Sequence, residues 1–217
     1  MFYTELLFST LLFWLMYSIK KAHFMAVFIL CILIASSRPT GLLFAFTLFL
    51  TLLIQIHPSQ WLSKPNLKRL LPFIGAPIGI GLYASYCYAR VGRAFIFREN
   101  MSAWQRDYCW PWESFETNRI ELQYLGVYAA ALLLIGLYAA YLNKGKNLLI
   151  ILPNLILPLC TGTVTSYPRY VSVNHPIFEK LLAKFTFLRN PWFLALLFLG
   201  NLATFAYWVL VHDVLSY

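Results

Sequence analysis

The chain has 217 residues, of which 60% are hydrophobic, 18% aromatic and only 12% charged, with a formal net charge of +9. A soluble domain has an apolar share nearer half and a charged share nearer a quarter, so that class is excluded; disorder is excluded too, because so apolar a chain has more surface to hide than it can leave in water. What remains is an all-α polytopic membrane protein, a single transmembrane domain over residues 1–217 with room for about eight crossings and no sizeable soluble part.

In chain order, apolar runs fall at about 4–19, 22–36, 41–57, 69–89, 122–142, 148–166 and 191–211, separated by short polar or Pro/Gly punctuation. An eighth, weaker segment at about 171–188 carries Asn174, His175, Pro176, Glu179 and Lys180. Several runs are shorter than a full span, which predicts helices that lean on neighbours or are broken within the membrane. In the fourth run, Gly75, Gly79 and Gly81 with Pro72 and Pro77 read as sites of close helix packing or a kink rather than as a ligand loop.

Charge sets the orientation. Lys20 and Lys21 lie between the first two runs, Lys64, Lys68 and Arg69 between the third and fourth, and Lys144 and Lys146 between the fifth and sixth. If each run crosses once, these loops share one face, and the positive-inside rule makes it cytoplasmic. Lys180, Lys184 and Arg189 join that face only if 171–188 also crosses, which gives eight crossings with both chain ends outside. A positive balance sorted this way reflects membrane topology, so no nucleic acid partner is expected.

The outer face then carries Arg38, Arg169 and a loop over 90–121. That loop holds Arg90, Arg93, Arg98, Arg106 and Arg119 against Glu99, Asp107, Glu113, Glu116 and Glu121, together with Trp104, Tyr108, Trp110, Trp112 and Phe115. Such a mixture suits an aromatic belt at headgroup depth. It equally suits a sugar phosphate, since aromatic faces stack on sugar C–H bonds and guanidinium pairs phosphate oxygens in bidentate fashion. Composition does not choose between the two. Two turns on the same face, Ser37-Arg38-Pro39-Thr40-Gly41 and Ser166-Tyr167-Pro168-Arg169-Tyr170, each hold an arginine beside a proline at a helix end. One such arginine would be read as snorkelling to lipid headgroups; two, with the Arg/Trp loop, favour a shared anionic site. Glu5, the only acid before Glu99, sits near the outer end of the first run.

The remaining signals are weaker. Cys31 and Cys160 lie inside apolar runs, Cys87 and Cys109 could share a side, and all four cysteines read as small apolar fillers without a disulfide framework. His23, His57, His175 and His212 are scattered and define no metal site. Asn100-Met101-Ser102 is a glycosylation triplet of a kind that is common by chance.

Taken in order, Tyr3-Thr4-Glu5-x-Leu7-Phe8, then Ser37-Arg38-Pro39-Thr40-Gly41-Leu42-Leu43, then Phe97 to Trp112 as F-x6-W-x-R-x4-P-W, then Ser166-x-Pro168-Arg169-Tyr170 resemble the PIG-V-type mannosyltransferases. These are multi-span glycosyltransferases of the GT-C class. The resemblance implies a GT-C-like transmembrane core in the bacterial inner membrane, or in the endoplasmic reticulum membrane of a eukaryote. It implies transfer of mannose or another hexose from a polyprenyl-phosphate-linked sugar to a lipid-linked or glycan acceptor at the outer or lumenal face. A base must take the acceptor proton while cations stabilise the departing phosphate. Arg38, Arg106 and Arg169 are the expected phosphate or sugar contacts and Trp104 and Tyr170 the stacking partners; Glu5 and Asp107 are weak catalytic candidates, and neither cofactor nor metal is expected. In that family the base lies in a first outer loop upstream of the Tyr-Ser/Thr-Glu motif. The chain starts at Met1, two residues before Tyr3, so that loop is expected to be absent here, a separately encoded upstream segment being one way to supply it. Whether the chain is an enzyme therefore stays open against a non-catalytic remnant, and against a transporter of an amphiphilic substrate, which proline-broken helices also suit.

Overall fold

Long stretches without a polar residue give the first helices apolar side chains on every face, so packing rather than amphipathic patterning decides which side of each is covered. A computed structural model describes residues 2–96, 109–117, 123–143, 147–161, 164, 167–172, 174–193, 195–196 and 199–200. Among the described residues every regular element is helical and no strand occurs. The chain forms two compact units, 1–177 and 178–217.

Unit one begins with α1 (Phe2–Lys20), α2 (Phe24–Ser37) and α3 (Pro39–Ile54). The α1–α2 turn closes with the His23 N–H donating to the Ser18 carbonyl at 3.0 Å, and Ala22 takes a positive φ of 57°, the left-handed residue such helix ends require. Arg38 alone separates α2 from α3: it is extended, with φ −154° and ψ 140°, and Pro39 begins the next helix where its missing N–H costs nothing. A polar excursion from Gln55 to Ser63 leads to α4 (Lys64–Leu70), a 3-10 turn (Leu71–Ile74) and α5 (Gly75–Val91). Together these make one helical stretch, Lys64–Val91, the one helix among the described residues long and apolar enough to cross a membrane. Its 28 residues extend about 42 Å at about 1.5 Å per residue. Leu7–Lys20, Phe24–Ser37, Thr40–Ile54, Gly126–Leu142 and Leu148–Thr161 are shorter apolar helices.

Helix directions follow from three contacts. The Arg38 guanidinium, at the end of α2, lies 5.9 Å from the centre of the Phe8 ring early in α1, so α1 and α2 are antiparallel. Gly75 packs on the Phe28 carbonyl and Gly79 on the Ile32 carbonyl, so α5 runs parallel to α2 with their backbones in direct contact. The Phe49 ring, late in α3, lies 6.0 Å from that of Phe73, just before α5, so α3 runs against both. One end of this layer therefore collects the start of α1, the Ser37–Gly41 turn and the end of α5 with Arg90 and Arg93. The other collects Lys20, Lys21, Lys64, Lys68 and Arg69. The charge sorting read from the loops is thus built into the packing of the first four apolar runs.

Between these helices lies a core of Phe8, Leu12, Leu15, Val27, Cys31, Ile34, Phe44, Leu48, Phe73 and Ala76, joined by Ile150. The spacings 8, 12, 15 and 27, 31, 34 are those of one helix face. Beyond it come α6 (Glu113–Thr117), α7 (Gln123–Leu142), α8 (Leu148–Ile156), a 3-10 turn (Leu157–Thr161), α9 (Tyr167–Ser172) and α10 (His175–Lys184). The α7–α8 hairpin is closed by Asn147 Nδ2 donating to Asn143 Oδ1 at 3.0 Å, and its helices meet where Gly136 packs on the Leu155 side chain. Asn154, buried in α8, donates to the Ile150 carbonyl at 2.7 Å and lies 3.5 Å from Thr47 Oγ1 of α3, tying the two groups of helices.

The segment 171–188, expected to cross as an eighth span, is not one helix. The α9 helix stops at Ser172, α10 ends at Lys184 and a 3-10 turn spans Thr186–Arg189. The ten residues of α10 reach only about 15 Å, half of an apolar bilayer core. In unit two, Arg189 Nε donates to the Leu182 carbonyl at 2.6 Å, and the Phe187 ring meets Phe185 at 6.0 Å and Phe193 at 5.4 Å. Most of the run 191–211 lies outside the described residues.

Candidate functional site

The best-defined part of the expected site is the Ser37–Gly41 turn. Ser37 Oγ donates to the Ile34 carbonyl at 2.8 Å, the Arg38 N–H donates to the same carbonyl at 3.2 Å, and the Gly41 N–H donates to the Arg38 carbonyl at 2.9 Å. Gly41 lies directly against the Ile34 backbone, where any side chain would collide. The loop is thus as tight as a helical hairpin allows, and it fixes the half-buried Arg38 with its guanidinium over Phe8, a cation–π contact. Glu5 belongs to α1 one turn before Phe8; its side chain lies outside the described residues. Arg90, at the end of α5 on the same end of the layer, has its guanidinium 5.8 Å from the Tyr86 ring.

Of the loop 90–121 the structure describes 90–96 and 109–117. Trp104, Arg106, Asp107 and the Asn100 triplet lie outside them. The described part is anchored in the protein. The Cys109 N–H donates to the Cys160 carbonyl at 3.1 Å, and Ser114, fully buried, donates from Oγ to the Leu159 carbonyl. Both acceptors are in the 3-10 turn after α8, at its C-terminal end, where the last carbonyls of a helix have no donor within it. Trp110 and Trp112 stack face to face, 5.2 Å apart and 4° from parallel, both well exposed, while Glu113 Oε2 accepts from the Trp110 N–H at 3.0 Å. In the sequence Trp110 stands out only as a loop aromatic and Trp112 as the end of the Phe97–Trp112 motif; their Trp-Pro-Trp spacing, with proline between, is the signal for a paired platform.

Arg169 and Tyr170 fall in α9. Tyr170 is half-buried, and the Arg169 side chain lies outside the described residues, so the expected convergence of Arg38, Arg106 and Arg169 is not something the described side chains address. Beside them Tyr167, missed by sequence reasoning, is 1% exposed and its hydroxyl has no hydrogen-bond partner among the described residues. Burial pushes its phenol above the ordinary range.

An apolar cavity of about 230 Å³ opens between α3 and the Lys64–Val91 helix. It is lined by Leu42, Phe46, Phe49, Phe73, Ile74 and Pro77 among others, without a polar side chain, and begins one turn along α3 from Arg38. Among the described residues no group of three or more His, Cys, Asp or Glu could hold a metal ion. The chain matches no family model, no curated protein and no solved structure.

Proposed function

We propose that the chain is a polytopic membrane protein that binds a polyprenyl-phosphate-linked sugar as part of a hexosyltransfer reaction, with the phosphate at the arginine-bearing end. The observation that carries this reading is Arg38, fixed in a rigid Pro-containing hairpin at the end of the layer opposite the lysines. The apolar cavity starting at Leu42 supports it: a phosphate on the guanidinium would leave a prenyl tail next to a slot without polar groups. The many apolar side chains exposed along the helices, such as Leu7 at 53%, Met25 at 72% and Phe46 at 53%, support residence in lipid. The motifs around Glu5, Arg38, Trp104, Arg106 and Arg169 are the ground for naming a sugar donor. In the proposed role arginines hold phosphate oxygens as charge develops on them, stacked tryptophans seat the sugar, and Glu5 or Asp107 contacts sugar hydroxyls.

Binding decides it. A purified chain in nanodiscs should take up a short-chain polyprenyl-phosphate mannose saturably, and Arg38→Ala should weaken it about 10- to 100-fold, because a hydrogen bond to a charged group contributes about 1.5–3 kcal/mol. Equal affinity of wild type and Arg38→Ala, or no saturable uptake, refutes the reading.

A further inference from the structure

Four cysteines are present and all are free thiols. Two of them are enclosed: Cys31 is fully buried in the α1–α3 core and Cys87 is 6% exposed in α5. The other two are partly accessible and, though distant in sequence, are neighbours in space. The Cys109 N–H donates to the Cys160 carbonyl at 3.1 Å. A direct bond of that kind joins the two residues' own backbones, the closeness a disulfide requires, since its Cα atoms stand roughly 4.4–6.8 Å apart. Each sulfur rests on a weak acceptor: Cys109 Sγ is 3.9 Å from the Leu159 carbonyl oxygen and 3.4 Å from Ser114 Oγ, and Cys160 Sγ is 3.6 Å from the Ile156 carbonyl oxygen. A thiol is a weak donor, so side-chain rotation gives up little. Ser114, bonded to Leu159, holds the two backbones together independently of either sulfur.

We propose that Cys109 and Cys160 are a disulfide-forming pair that staples the Trp110–Trp112 segment to the turn after α8. The place of the bond in the cell rests on the orientation proposed above, in which both residues face the outer or lumenal side, where disulfides persist. The oxidant is a disulfide, either of a protein or of a small molecule. One cysteine thiolate attacks it, giving a mixed disulfide and releasing one thiol; the second thiolate then attacks the mixed disulfide, forming the Cys109–Cys160 bond and releasing the other thiol. Two protons and two electrons leave the cysteines, and the oxidant is reduced to two thiols. The closed bond makes permanent what one backbone hydrogen bond and Ser114 otherwise maintain, and the exposed tryptophan pair then stands on a fixed base.

The purified full chain in detergent is incubated with glutathione disulfide, denatured, and its thiols counted with a maleimide mass tag. Four tags are expected before oxidation and two after, with one proteolytic fragment pair joined through Cys109 and Cys160; Cys109→Ser and Cys160→Ser should each show no internal link, the remaining cysteine of the pair carrying a tag or a glutathione adduct. For the wild type, four tags after oxidation, glutathione adducts without an internal link, or a link through Cys31 or Cys87 overturns the pairing. A membrane-impermeant maleimide applied to intact cells expressing Cys160→Ser separates the two claims. Labelling of Cys109 before permeabilisation supports the oxidising location, and labelling only afterwards overturns the outer-face assignment while the detergent experiment still decides the pair.

Discussion

Tyr167 carries a hydroxyl into the protein and finds no partner for it among the described residues, an arrangement whose cost is the lost hydration of that group. Tyr167→Phe removes the hydroxyl and keeps the ring, so it should stabilise the fold by about 1 kcal/mol, a rise in melting temperature of about 2–4 °C. The phenol also confers a pH dependence. Its value in the fold is raised above the ordinary 10.0, so its proton is held more tightly there than in the unfolded chain. The associated stability is complete below pH 10 and declines as pH rises past it, by up to about 1.4 kcal/mol per pH unit. Thermal melts between pH 8 and 11 should show a steeper loss for wild type than for Tyr167→Phe. Parallel slopes, or a lower melting temperature for the phenylalanine variant at neutral pH, would mean that the hydroxyl is satisfied in the folded protein.

Helix α5 approaches α2 as closely as backbones can, and the two glycines that permit it have different consequences from the third. A methyl at Gly79 would meet the Ile32 carbonyl, and at Gly75 the Phe28 carbonyl, whereas nothing stands near Gly81. Gly79→Ala should therefore destabilise by about 1–3 kcal/mol, as overpacking does, while Gly81→Ala should be neutral or gain slightly from its better helix propensity. Melting curves of the two variants in the same detergent test this, and equal melting temperatures would dissolve the assigned contact. All three glycines stood in one Pro/Gly-punctuated run, and the sequence read them alike. Spacing explains the difference: 75 and 79 are one turn apart on one face, and 81 points elsewhere.

At the scale of the molecule, the first four apolar runs alternate in direction and gather Lys20, Lys21, Lys64, Lys68 and Arg69 at one end and Arg38, Arg90 and Arg93 at the other. In a cysteine-free background, cysteine placed at Arg93 should react with an impermeant maleimide on intact cells, and cysteine placed at Lys21 or Lys64 only after permeabilisation. These three positions are exposed, so failure to react reports sidedness and not burial. Labelling of Lys21→Cys and Arg93→Cys from the same side would contradict a membrane crossing between them.

The helical class, the positions of the first four apolar runs and the gathering of Lys20, Lys21, Lys64, Lys68 and Arg69 at one end of them were legible in the sequence, because apolar length, Pro/Gly punctuation and loop charge are local properties that survive any packing. Arg38 could be singled out for the same reason: Arg-Pro between two apolar runs dictates a tight turn. Other features required the fold. The break of 171–188 into separate short helices depends on how its polar residues are accommodated by neighbours, as with buried Asn174 donating to the Ile151 carbonyl at 3.4 Å. The unpartnered Tyr167 hydroxyl, the parallel contact of α5 with α2 and the meeting of Cys109 with Cys160 are relations between distant residues. A chain with so few polar positions offers many apolar surfaces of nearly equal merit, and only the close approach allowed by glycines and the few buried hydrogen bonds of Asn154, Asn174 and Ser114 select among them.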